Sequence, residues 1–420
     1  MGGILLKNIT LDGKVKDILI SGTRISRISE GGSIAPESET EVMECSGKVA
    51  VPGFINMHTH SPMTMLRGIS EDVHFHEWIS RIWDIEAGLD HDFIYWGSKV
   101  AAIEMIRTGT TTFNDQYWSF PATLKAAAEA GIRAATGYDI LDMGDPETAA
   151  KQREQCIRRF EEFRNPEGGG IFTLSFHAIY SVSEEMMVWA SEFARKNNLL
   201  LHIHLSETLK EVEDCKEAHG GLSPVEYLDR LGILGPELIA AHCLWLSPED
   251  IALLGKHGVN CVHNINSNAK ICSGYRFLHK ELRDAGANVC LGTDGCASSN
   301  NLDMLEAMKT SALFQKAWRD DPTAMPLKEL MTMATINGAK ALRLDTGSIE
   351  EGKLADINIV DTDSSFFLSP APFLANFIYS AHSDCIDSVI AGGRFVMKNR
   401  VVEGEKEILR AAAEMMKQIR

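Results

Sequence analysis

Between residues 53 and 348 the sequence repeats one unit eight times: a short apolar run suited to a buried strand, then a segment with helical spacing. The eight runs are "AVPGFINMHTH", "TTTFNDQY", "RAATGYDI", "FTLSFHAI", "LLLHIHLSE", "LIAAHCLWL", "VNCVHNINSN" and "NVCLGTDG". Helical segments are expected at 92 to 108, 121 to 130, 183 to 197 and 247 to 257, the last opened by Ser-Pro. Eight such units predict an α/β fold of the (β/α)8 barrel type, whose sites form at the C-terminal ends of the strands. A doubly wound sheet is the alternative. It would want a Gly-rich phosphate loop after its first strand, where this chain carries histidines instead.

The two chain ends read differently. "ILLKNITL", "VKDILISGTRISRIS" and "TEVMECSG" at the start, and "ADINIVDTD" and "DCIDSVIAGGRFVMKN" at the far end, alternate polar and apolar residues between Gly and Ser breaks. They predict antiparallel hairpins that pair into one small composite β-sandwich, from residues 1–52 and 349–420, beside a catalytic barrel at 53–348.

Composition removes several classes of function. Apolar residues make up 45% of the chain, which fits a globular protein. Lys plus Arg number 41 against 58 Asp plus Glu, a net charge of −17, and no basic block stands out. A nucleic-acid partner is therefore not expected. No charged leader with an apolar core opens the chain, and no run of ~18 apolar residues occurs, so neither a signal peptide nor membrane attachment is expected. The nine cysteines are scattered without a C-x-x-C pair, which suits reduced thiols and a cytoplasmic protein.

The polar residues at the C-terminal ends of the predicted strands are selective: His58 and His60, His177, His204 with Glu207, His242, and Asp294. Residues i and i+2 of a strand share a face, so His58 and His60 stand side by side as a chelating pair would. Each histidine alone could be a structural residue bonded to a loop. Five strand ends so equipped point instead to a divalent metal held by His58, His60, His204 and Asp294, with zinc favoured and iron or manganese open. His202 lies on the same face as His204, but only His204 has a carboxylate three residues on, in Glu207. His202 is therefore assigned to packing. Glu207 reads as the group that moves a proton and His242 as the group that orients the attacking oxygen. The fourth strand, "FTLSFHAI", has no lysine to bridge two ions, which favours one metal.

These residues resemble the amidohydrolase superfamily, and within it the deaminases of 5'-methylthioadenosine and S-adenosylhomocysteine with their triazine-hydrolase relatives. The resemblance spans nearly the whole chain, through "VPGFINMHTHSPMTMLRG", "HIHLSET", "AAHCLWL", "NINSNAKICSG" and "LGTDGCASSNNLDMLEAM". It implies hydrolytic deamination of a 6-aminopurine nucleoside, with Asp294 as a further proton acceptor, Glu86 holding the ribose hydroxyls, Trp83 as an apolar wall and His177 facing the purine. A homo-oligomer is compatible with it. Members that bind homocysteine carry two arginines after the third strand. Here Gly137 and Tyr138 stand where the first is expected, and Arg153 is the only arginine near the second. A neutral 5' group is therefore expected: 5'-methylthioadenosine, 5'-deoxyadenosine or adenosine rather than S-adenosylhomocysteine. The competing expectations are an aminohydrolase or chlorohydrolase of a free base, pterin or triazine, and a metal-binding protein without catalysis.

Overall fold

The computed structural model describes residues 3–418. Five strands open the chain: β1 (Ile4–Leu11), β2 (Lys14–Ser21), β3 (Arg24–Glu30), β4 (Glu41–Glu44) and β5 (Lys48–Pro52). Eight follow in the middle: β6 (Phe54–Thr59), β7 (Thr110–Asp115), β8 (Arg133–Ile140), β9 (Ile171–Phe176), β10 (Leu201–Leu205), β11 (Leu238–His242), β12 (Asn260–His263) and β13 (Asn288–Leu291). Three close it: β14 (Ile357–Asp361), β15 (Ile386–Ala391) and β16 (Arg394–Met397).

Strands β6 to β13 pair in sequence order, each parallel to the next, as the eight-unit reading requires. In β6, β7, β10, β11, β12 and β13 every residue is buried, because helices cover the outer face and side chains fill the inside. The covering helices begin where small polar residues cap them. Asp90 accepts from the amide of Phe93 and Asp145 from that of Thr148, while Ser223 and Ser247 each form a reciprocal capping box.

The ring closes between β13 and β6 through a seam of a different kind. The amides of Thr293 and Asp294 both donate to the carbonyl of His58, at 3.2 and 2.9 Å. The Asn56 side chain donates to Thr293 Oγ1 at 2.7 Å and accepts from the Thr293 amide at 3.0 Å. Gly292 makes the approach feasible: a Cβ there would lie 2.8 Å from the His58 nitrogen and 2.5 Å from Asn264 Oδ1.

The chain ends form one continuous sheet in the order β16-β15-β14-β5-β1-β2-β3, with β4 also on β1. Its inner residues, among them Ile4, Leu6, Ile18, Ile20, Ala50, Ile357 and Ile390, share a core separate from the barrel's. The sheet is mixed, not purely antiparallel as the alternation suggested. β1 runs parallel to β4 along Ile4 to Lys7 and to β5 at Thr10, because the segment after β3 returns the chain to the start of β1. A buried ion pair, Arg133 of β8 to Asp356 beside β14 at 3.2 Å, joins this sheet to the barrel. Among the described residues no helix is long and apolar enough to cross a membrane.

Candidate metal centre and active site

The structure brings His58, His60, His204, Glu207, His242 and Asp294 together at the C-terminal end of the barrel, with His177 alongside. His60 Nε2 and His204 Nε2 lie 3.2 Å apart, and Asp294 Oδ1 is 3.4 Å from Nε2 of both His58 and His60. The candidate ligand atoms of His58, His60 and His204 all lie within 4.8 Å of one another, as do those of His58, His242 and Asp294.

What aims these nitrogens is the hydrogen bond on the far side of each ring. His60 Nδ1 donates to the Gln116 carbonyl at 2.6 Å, and His204 Nδ1 donates to the His177 carbonyl at 2.8 Å. Each bond leaves an unprotonated Nε2 facing the centre. His58 Nδ1 meets His202 Nε2 at 3.0 Å, so His202 does more than the packing assigned to it: it orients a ring of the centre.

A divalent cation fits this donor set. His58 Nε2 is buried with no hydrogen-bond partner, and the Nε2 atoms of His60 and His204 converge to 3.2 Å while their Nδ1 atoms are engaged by backbone carbonyls. Three imidazoles and one carboxylate are ligands that zinc accepts. Burial holds His58, His202 and His204 below the ordinary imidazole pKa, so the rings stay neutral and free to ligate. Burial pushes Asp294 upward, but the imidazoles around it, His58 first, outweigh burial and hold it well below the carboxylate range.

Three strand ends turn sharply to present these groups. Ser206, His242 and Asp294 have φ of 50°, 74° and 64°, a left-handed conformation that non-glycine residues seldom adopt. The Glu211 carboxylate fastens the first turn by accepting from the amides of Ser206 and Glu207, both at 2.8 Å. Ser267 Oγ donates to Asp294 Oδ2 at 2.6 Å and fixes that carboxylate.

Glu207 is buried beside the cluster, its Oε1 3.7 Å from His242 Nδ1. Burial, then the charges of Asp294 and Glu211, push its pKa well above the carboxylate range. Asn268 donates to His242 Nδ1 at 2.8 Å, which leaves the proton of the neutral ring on Nε2, a donor. Burial lowers His242 to about 3, so the ring is neutral near physiological pH.

A cavity of about 720 Å³ opens from this cluster. The helix Phe75–Glu86 forms one wall, contributing Trp78, Ile82, Trp83 and Glu86. Trp83 lies 5.9 Å from the His177 ring, and His177 Nδ1 pairs with Ser181 Oγ at 2.9 Å. Among the described residues lining the cavity there is no lysine or arginine. Arg153 does not line it; its guanidinium pairs with Glu185 at 2.9 Å and lies over the Trp189 ring. Gly137 sits inside β8, where a Cβ would fall 1.6 Å from the Thr173 carbonyl oxygen, so no side chain fits there.

Sequence reasoning missed Ser267, Asn268, Glu211 and Tyr117. The run "VNCVHNINSN" is a strand only to His263, after which residues Ile265–Lys270 form a helix. That bend carries Ser267 to Asp294 and Asn268 to His242. Glu211 follows Glu207 by four residues, and Tyr117 follows β7 by two. Tyr117 stands at a strand end, where the same reading could have collected it, whereas Glu211 lies in the helix Leu209–Ala218 that follows β10.

Residues 49–396 match the amidohydrolase family, and the chain belongs to it. Among its relatives is a 5'-deoxyadenosine deaminase of Methanoregula boonei, 42% identical over 89% of this chain and 84% of that one. A 5-methylthioadenosine/S-adenosylhomocysteine deaminase of Archaeoglobus fulgidus is 39% identical over 97% and 96%. A zinc-bound adenosine deaminase from Xanthomonas campestris superposes with a TM-score of 0.88 at 29% identity, covering 99% of this chain and 97% of that one. A zinc complex of an atrazine chlorohydrolase from Arthrobacter aurescens reaches 0.90 at 23% identity, over 98% and 100%, a likeness of fold alone.

Proposed function

We propose that this chain is a metal-dependent hydrolytic deaminase of 6-aminopurine nucleosides with an uncharged 5' group, such as 5'-deoxyadenosine, 5'-methylthioadenosine or adenosine. The observation that carries this reading is the single cavity that joins the His/Asp cluster and Glu207 to Glu86 and has no cationic side chain on its wall. The relatives named above at 42% and 39% identity support the reaction class. The work belongs to the barrel, residues 53–348, with 1–52 and 349–420 as its support.

His58, His60, His204 and Asp294 would hold one divalent ion, zinc before iron or manganese; β9 offers no lysine to bridge a second. When bound, such an ion supplies Lewis acidity that lowers the pKa of water from about 15.7 to about 7. Glu207 takes a proton from the attacking water and delivers it to the purine ring nitrogen, a transfer suited to a buried carboxyl whose pKa lies above the carboxylate range and which is therefore a stronger base than an exposed one. His242 donates from Nε2 to the oxygen that bonds to C6, and Asp294, its second oxygen held by Ser267, accepts a further proton. That second proton passes from Asp294 to the amino group, the C6–N bond breaks as the C6–O bond becomes a carbonyl, and ammonia leaves with a 6-oxopurine behind. His177 and Trp83 flank the base, and Glu86 receives the sugar hydroxyls.

The charge pattern explains the preference for a neutral tail. A substrate ending in an amino-acid carboxylate would desolvate that anion without a partner, which is unfavourable. Ammonia release from a panel of nucleosides, free bases and triazines tests the reading. Turnover of 5'-deoxyadenosine above both adenine and S-adenosylhomocysteine is expected. Faster turnover of a free base or triazine than of any nucleoside would replace it with the aminohydrolase or chlorohydrolase alternative.

A further inference from the structure

Glu86 ends the helix Phe75–Glu86, and among the described residues lining the cavity around it there is no lysine or arginine. Burial raises its pKa, and the largest opposing influence is one hydrogen bond, from the hydroxyl of Tyr117 to Oε1 at 2.5 Å. Tyr117 follows β7, is 4% exposed and also lines the cavity. A phenol has a single proton. Here that proton is committed to Glu86, so the phenol oxygen is left with acceptor capacity only. Oε2 of Glu86 is likewise an acceptor.

We infer that Tyr117 and Glu86 together form a two-acceptor reader for a vicinal diol, in which Glu86 receives one hydroxyl proton and the phenol oxygen of Tyr117 the other. Two acceptors side by side select a ligand with two donors, and a ligand lacking either hydroxyl leaves a partly buried acceptor unpaired. The same bond also tethers the helix to the end of β7, and a tether alone would act on every substrate equally. This inference rests on the nucleoside reading and adds to it a residue and a sugar specificity.

The test compares kcat/KM of the zinc-loaded wild type and Tyr117→Phe for adenosine, 2'-deoxyadenosine, 3'-deoxyadenosine and adenine. Wild type should lose about tenfold with each monodeoxy nucleoside. Tyr117→Phe should lose about tenfold on adenosine and match wild type on one monodeoxy nucleoside, with a smaller loss on adenine than on adenosine. Calorimetric affinities for inosine and the corresponding deoxyinosine should move in parallel, independent of turnover. The deoxy substrates interrogate the unmodified protein, so the result does not depend on the variant folding. Equal losses across all four substrates, or a wild type indifferent to both hydroxyls while still preferring nucleosides, would overturn the diol reader alone. A wild type that turns over adenine as well as adenosine would overturn the nucleoside reading itself.

Discussion

His60 and His204 each present the same nitrogen to one point because the other nitrogen is bound to a backbone carbonyl. That convergence was legible in part from sequence. Strand periodicity put His58 with His60 and His202 with His204, and the carboxylate at Glu207 chose between the latter two. The orienting partners were not legible, because Asn268, Ser267 and Gln116 act on residues of other strands, and such pairings exist only once the barrel closes. Two predictions follow from the proton positions. Glu207→Gln keeps shape and hydrogen bonding but cannot accept a proton, so deamination should fall by about 10² to 10⁴ at unchanged metal content. A loss below about tenfold would pass the shuttle to another residue, His242 first. Asn268→Asp replaces a donor to His242 Nδ1 with an acceptor, which moves the ring proton to Nδ1 and removes the Nε2 donor proposed to serve the substrate oxygen. Turnover should drop by about a hundredfold while zinc stays bound; an undiminished kcat would take His242 out of the chemistry.

All eight barrel strands were readable as apolar runs because a parallel strand buried on both faces leaves a short, continuous hydrophobic signature. Where the reading overran, at "VNCVHNINSN", the cause was a bend at Asn264 into a helix that one polar run cannot distinguish from a strand end. The parallel pairing of β1 with β4 and β5 was also hidden, since it depends on the path of residues 31–40 and not on alternation within any strand. The seam between β13 and β6 makes the strongest demand on a single residue. Gly292→Ala would push a methyl group against the His58 backbone and Asn264. The expected cost is about 1 to 3 kcal/mol from overpacking, seen as a lower denaturant midpoint at constant m-value, with weaker zinc retention because His58 must shift. An alanine variant of wild-type stability and metal content would show that the seam can relax without disturbing the centre.

Across the whole molecule, charge and architecture are consistent with the proposed selection for an uncharged 5' group. The net charge of −17 coincides with a cavity free of lysine and arginine, while the arginine nearest the predicted position, Arg153, is engaged with Glu185. The terminal sheet braces the barrel from β8 through the Arg133–Asp356 pair, away from the chemistry. Such a division lets the strand ends carry left-handed turns at Ser206, His242 and Asp294 that would be unfavourable without a rigid frame. The central claim is that one divalent ion, held by His58, His60, His204 and Asp294, makes this chain a purine nucleoside deaminase. The most direct measurement is a zinc titration of metal-stripped protein, with ammonia and 6-oxopurine product followed from 5'-deoxyadenosine. Activity should start near zero, rise linearly and stop rising at one zinc per chain, with one ammonia for each product. Full activity before any zinc is added, or a plateau reached only at two ions per chain, would contradict the account.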